Sequence, residues 1–326
     1  MKFLSRRYVL LVVLFAALLC SGWGFFGHKR INRYAVFILP PEMLGFYKKN
    51  LDQITESAVN PDRRRFSVVD EAPRHYIDLD HYGDSALSML PKRWNDAVAL
   101  YSEDTLKAYG VLPWHIHRMY LRLRDAFLLE DPNMILRTSA DIGHYIGDAH
   151  VPLHTTENYN GQKTGQEGIH GFWESRLVEL FSDDYDFFVD KAVYIQDTQR
   201  TAWEIVALSH YAMDSVLREE KILASVFGEK RYSFETKGRQ TVKVYSKEYA
   251  VEYHKILDGM VERQMRSAVK MVASYWYTAW VDAGQPDLDK WIAYQPSQAE
   301  LSARRAELEE WKRHRYDTRP HETDNE

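Results

Sequence analysis

The sequence predicts an all-α protein, a single mostly helical domain with one small β-hairpin insertion. Three observations lead there. Apolar residues recur at helical spacing in segment after segment, as in "HKRINRYAVFIL". Prolines stand where a first helical turn tolerates them, in "PPEMLGFYKK" and again at Pro113. One stretch departs from the rest: "RYSFETKGRQTVKVYS" alternates polar and apolar residues around Lys237-Gly238, the pattern of a hairpin.

Taken in order, "HKRINRYAVFIL" is the first helix and "PPEMLGFYKKNLDQITESAV" the next helical segment. Pro113 opens a long amphipathic helix, "LPWHIHRMYLRLRDAFLLED". "NMILRTSADIGHYIGDAH" follows and should stop near Val151-Pro152, because the residue before a proline is pushed out of the helical region. "GIHGFWESRLVELF", "TAWEIVALSHYAMDSVLREE" and the long "SKEYAVEYHKILDGMVERQMRSAVKMVASYWYTAWVDAG" complete the helical set, with the hairpin inserted over 228–246. "AELEEWKRHRYDTRPHETDNE" begins as a charged helix and ends as a polar tail over 316–326. The aromatic stripe "SYWYTAW" reads as core rather than as a stacking platform. No internal repeat or linker divides the chain, so 23–315 reads as one domain.

Composition narrows the function. Hydrophobic content of 45% with 27% charged residues is that of a globular protein. A net charge of −5 without a large basic block argues against duplex DNA binding as the main activity. It leaves room for a small phosphate ester or a single strand held at a metal. The start of the chain, basic "MKFLSRR" then apolar "YVLLVVLFAALL" then "CSG", reads as a secretory signal peptide over 1–22. Its removal takes Lys2, Arg6 and Arg7 away and shifts the net charge to about −8. An exported protein, periplasmic or extracellular, follows; an uncleaved membrane anchor is the alternative. Cys20 is the only cysteine, and the bulky Leu19 before it fits a lipoprotein acceptor poorly. The mature chain therefore has no disulfide, and stability must come from its core and from metal.

The ligand-type residues cluster. His144 and Asp148 are four apart on one predicted helix, so both project from one face. Pro152 ends that helix and lets His154 turn back beside them. "GIHGFWE" repeats the spacing with His170 and Glu174. Imidazole and carboxylate suit Zn²⁺. Upstream lie Asp62 in "NPDRRR", His75 in "APRHYIDLDHY" and His28 in "GWGFFGHKR". Cleavage after Gly22 makes Trp23 the first residue, and its α-amine, with an unperturbed pKa of about 7.7–8.0, gives up a proton to metal easily.

These residues and the motif "HYIGDAHVPLH" resemble the superfamily that joins zinc-dependent phospholipases C with the single-strand-specific zinc nucleases. The resemblance runs through most of the mature chain as an ordered series of ligands. It implies three zinc ions in one cleft. Asp62, His75, His144 and Asp148 hold the first; His154, His170 and Glu174 hold the second; Trp23 and His28 hold the third, with Asp148 bridging first and third. It implies hydrolysis of a phosphodiester by a water activated between zincs. Asp62 is expected to orient that water and Arg65 to meet a phosphate oxygen.

Blander readings stand beside these. Asp62 after Pro61 could be a helix cap, and Arg65 belongs to a run of three arginines that reads as a solvated face. His150 fits a supporting or surface position better than a ligand. His81, His115, His117, His210 and His254 read as core or surface histidines, while Asp78 and Asp80 could orient His75. Substrate is divided. The spacing of Trp23 and His28 and the lack of mature cysteines point different ways, the first towards the nuclease branch, the second away from its eukaryotic members. Glu174, "HYIDLD" and the short loop before His170 lean towards phospholipase C, although Asn158 falls one position late for that branch. The expected partner is thus a phospholipid or a single-stranded nucleic acid, with transient membrane-surface contact in the first case and no obligate protein partner. A non-catalytic, zinc-stabilised binding protein is the third reading.

Overall fold

A computed structural model describes residues 25–237 and 240–313, so the signal segment, Trp23 and the 316–326 tail lie outside the described residues. Four helices lead in: α1 (Phe25–Val36), α2 (Pro41–Lys49), α3 (Leu51–Ser57) and α4 (Asn60–Arg64). Short helices at Ala86–Met89, Trp94–Tyr101 and Glu103–Ala108 precede α5 (Leu112–Leu128) and α6 (Pro132–Ala149). Then come α7 (169–181), α8 (Thr198–Phe227), a hairpin of β1 (Tyr232–Lys237) and β2 (Gln240–Tyr245), α9 (Lys247–Ile256), α10 (Met260–Asp282) and α11 (Gln298–Arg313). The all-α prediction holds, with its single hairpin in the predicted place.

Proline placement works as expected: α2, α5 and α6 each begin with one at the first or second helical position. In α6, Asp131 also accepts from the Met134 amide at 3.0 Å, capping the helix that carries His144 and Asp148. Two predicted helical segments are broken. Asn50 separates α2 from α3. Asp258 (φ 48°) and Gly259 (φ 71°) separate α9 from α10, a left-handed corner that glycine makes cheaply.

Helix α6 lies at the centre, packed against α1, α3, α5, α8 and α10. Its approach to α1 depends on two glycines one turn apart. A Cβ on Gly143 would stand 2.0 Å from Asn32 Oδ1, and one on Gly147 would stand 2.8 Å from His28 Nδ1. The stripe "SYWYTAW" is core: Tyr275 and Trp276 are fully buried, and Trp276 stacks on Tyr47 at 5.0 Å while donating to the Ser139 carbonyl at 3.0 Å. In the hairpin, Tyr232 pairs with Tyr245 and Phe234 with Lys243, so Phe234 and Glu235 point to opposite faces. Phe234 is 73% exposed. Among the described residues no helix is long and apolar enough to cross a membrane.

Candidate metal centre

Three buried groups of His, Asp and Glu side chains, each able to hold a metal ion, sit side by side: Asp62, His75 and His144; His28, His144 and Asp148; His154, His170 and Glu174. The helical period accounts for most of this. His144 and Asp148 share one face of α6, and His170 and Glu174 share one face of α7, with His170 Nε2 2.9 Å from Glu174 Oε2. Helix α1 contributes His28, α4 contributes Asp62, and a 3₁₀ turn, Ala72–His75, contributes His75. A second 3₁₀ turn begun by Pro152 brings back His154.

Asp148 joins the groups. Its Oδ2 lies 3.0 Å from His75 Nδ1 and 3.3 Å from His144 Nε2, while Oδ1 lies 3.4 Å from His28 Nε2 and 3.7 Å from His154 Nδ1. Glu174 is also divided, with Oε1 3.4 Å from His28 Nε2 and Oε2 3.3 Å from His154 Nε2. Asp62 Oδ1 faces His144 at 3.4 Å and His75 at 3.6 Å, so its carboxylate serves the cluster and does not cap α4.

The donor set suits a cation. His144 donates through Nδ1 to the Ala58 carbonyl at 2.9 Å, and His154 through Nδ1 to the His75 carbonyl at 2.7 Å. Those bonds fix the neutral tautomer with a bare Nε2 turned inward. His154 Nε2 then meets His170 Nε2 at 2.9 Å, and His144 Nε2 meets His75 Nδ1 at 3.1 Å. Lone pairs facing each other and facing carboxylates are a poor arrangement without a positive charge between them. Asp62, Asp148 and Glu174 are at most 6% exposed, and burying such charges uncompensated costs several kcal/mol each. His144 has one inward nitrogen for two groups, so it can serve one ion only.

Protons on the imidazoles can stand in for that positive charge. Burial opposes ionisation of Asp148 and Glu174, yet the facing imidazoles hold both carboxyls well below the usual range. Burial keeps His75 below its ordinary value despite its bond to Asp148. Across the same contacts the carboxylates raise His144 and His154 against the burial penalty.

No protein-family model matches the chain, and no curated protein matches it. The site's geometry therefore carries the functional argument alone.

Among the described residues the other histidines stay out of the three groups, His150 included. It donates through Nδ1 to the Ile146 carbonyl at 2.8 Å, meets Ser267 through Nε2 at 3.1 Å, and burial pushes its pKa down to about 4. The arginine run divides three ways: Arg63 is exposed, Arg64 is paired, and Arg65 is only 2% exposed and within electrostatic reach of His75. A solvated face is therefore the wrong reading of Arg65.

Asp80 does not support His75. Asp80 instead accepts from Thr156 Oγ1 at 2.9 Å and from the Glu157 amide at 3.0 Å, bracing the chain after His154. The outer edge of His75 faces Glu71, with Nε2 3.9 Å from Oε1. Glu71 is completely buried, accepts from Tyr145 Oη, and pairs with Arg74 and with Arg64 Nε at 3.1 Å. Burial opposes its charge, but Arg64 and Arg74 bring its pKa down to about 2. Its spacing of four from His75 was the available signal.

Beside His28 and Glu174 runs a narrow, largely apolar cavity of about 30 Å³, walled by Ile31, Val151, Trp173, Met265 and Ala268.

Proposed function

We propose that this chain is an exported zinc-dependent phosphoric ester hydrolase of phospholipase C type. The observation that supports the reading best is the contiguity of three buried His/carboxylate groups, joined through the two oxygens of Asp148. Asp62, His75, His144 and Asp148 would hold one Zn²⁺, and His154, His170 and Glu174 a second. His28 and Asp148, with Trp23, would hold a third. When bound, such ions lower the pKa of water towards neutrality and stabilise charge building on a phosphoryl oxygen.

The chain's own residues do the rest. The carbonyls of Ala58 and His75 set the tautomers of His144 and His154, so the ligand nitrogens are presented without rearrangement. Asp62, turned inward beside His75 and His144, would orient a water and take its proton through the oxygen left free of metal. Arg65, buried within electrostatic reach of His75, would add fixed positive charge to offset that of an anionic phosphodiester. No serine or cysteine nucleophile is required.

A single-strand nuclease is the second reading, favoured by Tyr159. Its half-buried ring stands edge-on to His170 at 5.9 Å and offers an aromatic flank for a base. The test is a parallel assay of phosphatidylcholine, single-stranded DNA or RNA, and a generic phosphodiester, with and without chelator. Chelator-sensitive release of phosphocholine supports the first reading, and strand cleavage the second. Zinc bound without hydrolysis of any of them leaves a non-catalytic binding protein, and absence of zinc overturns the metal assignment.

A further inference from the structure

The hairpin grips the segment that carries two metal-type ligands. Helix α7 is not regular: Phe172–Arg176 winds as a π-helix, with Glu174 at its centre. A π-turn holds one more residue than an α-turn and is intrinsically less favourable. Rewinding it as α-helix would turn Glu174 about the helix axis relative to His170 and change the register of the residues that follow. Something must keep it wound.

Three contacts are placed to do so. Arg176, two residues past Glu174, is buried and makes a double bond pattern to Glu235 of β1, with Nη1 3.2 Å from Oε2 and Nη2 on Oε1. Phe172, two residues past His170, stacks on Tyr245 of β2 at 4.0 Å and on Tyr253 of α9 at 5.1 Å. Upstream, Gln166 donates to the fully buried Glu220 of α8 at 2.6 Å, and Glu220 also accepts from Tyr249 Oη of α9 at 2.7 Å. Strand alternation turns Glu235 towards Arg176 and leaves Phe234 in solvent.

We propose that the hairpin is a clamp on α7, with Arg176 and Glu235 as positioning residues that set how tightly the His154–His170–Glu174 group holds its ion. The inference rests on reading that group as a metal site. The insertion thereby supports the metal centre, and its loss would be felt at one ion of three.

The test compares wild type with Glu235→Gln, a near-isosteric change at a partly exposed position, each titrated with a chromophoric chelator. The expected result is one ion leaving about 10–100-fold more readily while the others hold, the range typical of residues that support metal ligands. Helix content by circular dichroism should be unchanged, and Glu235→Asp should recover much of the loss. Phe234→Ser, on the outer face of the same strand, should behave as wild type. Release of all ions together, or of none, from Glu235→Gln would overturn the clamp. A wild-type protein that binds no ion would instead overturn the metal reading beneath it.

Discussion

Replacing Gly147 by alanine isolates the closest approach in the centre. The new Cβ would stand 2.8 Å from His28 Nδ1 and 3.1 Å from its Cε1, whereas unstrained contacts begin near about 3.5 Å. The ring must therefore retreat by about 0.7 Å. It has little room, being stacked on His144 at 4.0 Å with Nε2 3.4 Å from both Asp148 and Glu174. Alanine gains about 1 kcal/mol in helix propensity over glycine, and overpacking costs about 1–3 kcal/mol, so stability should fall by no more than about 2 kcal/mol. Function should suffer more. A displacement approaching 1 Å in a ligand can cost on the order of 10²-fold in rate. The expected outcome is a folded protein with its helix content kept, the ion near His28 weakened, and hydrolysis of the best phosphodiester down about 100-fold. Full activity and full metal content in Gly147→Ala would refute the argument that this glycine admits His28.

His154→Ala should abolish activity while circular dichroism retains the helical signal; full activity would remove His154 from the site. Chelation should lower the thermal midpoint as well as stop turnover, because three buried carboxylates lose their counter-charge, and an unchanged midpoint would contradict that account. Glu71→Ala should lower unfolding free energy by about 1–3 kcal/mol, since Tyr145 Oη loses its acceptor and Arg64 loses one of its two carboxylates, keeping Asp141. A denaturant titration showing a loss under about 1 kcal/mol would assign Glu71 a lesser part.

The ligand pairs were legible in the sequence because helical spacing maps directly onto a shared face: His144 with Asp148, and His170 with Glu174. The hairpin was legible for the same reason at period two. What spacing could not reveal is which faces meet. Gly143 and Gly147 look like weak points in a helix until α1 is laid against them, and only then does His28 come within reach of Asp148. Burial is equally silent in a sequence. Arg65 reads like its two neighbours, and Glu71 like any acid before a turn, because the difference lies in helices α5 and α6 that close over them. The break at Asp258 is signalled locally by the Asp-Gly pair, whereas the π-turn in α7 has no strong local signature. The π-turn meets partners distant in the chain, Tyr245 and Glu235.

The bond from His154 Nδ1 to the carbonyl of His75 ties a donor of one group to the main chain of another. A single peptide unit thus reports the state of either group to its neighbour. A shift of the Ala72–His75 turn would therefore be felt at His154 as well as at His75, although the two rings belong to different groups.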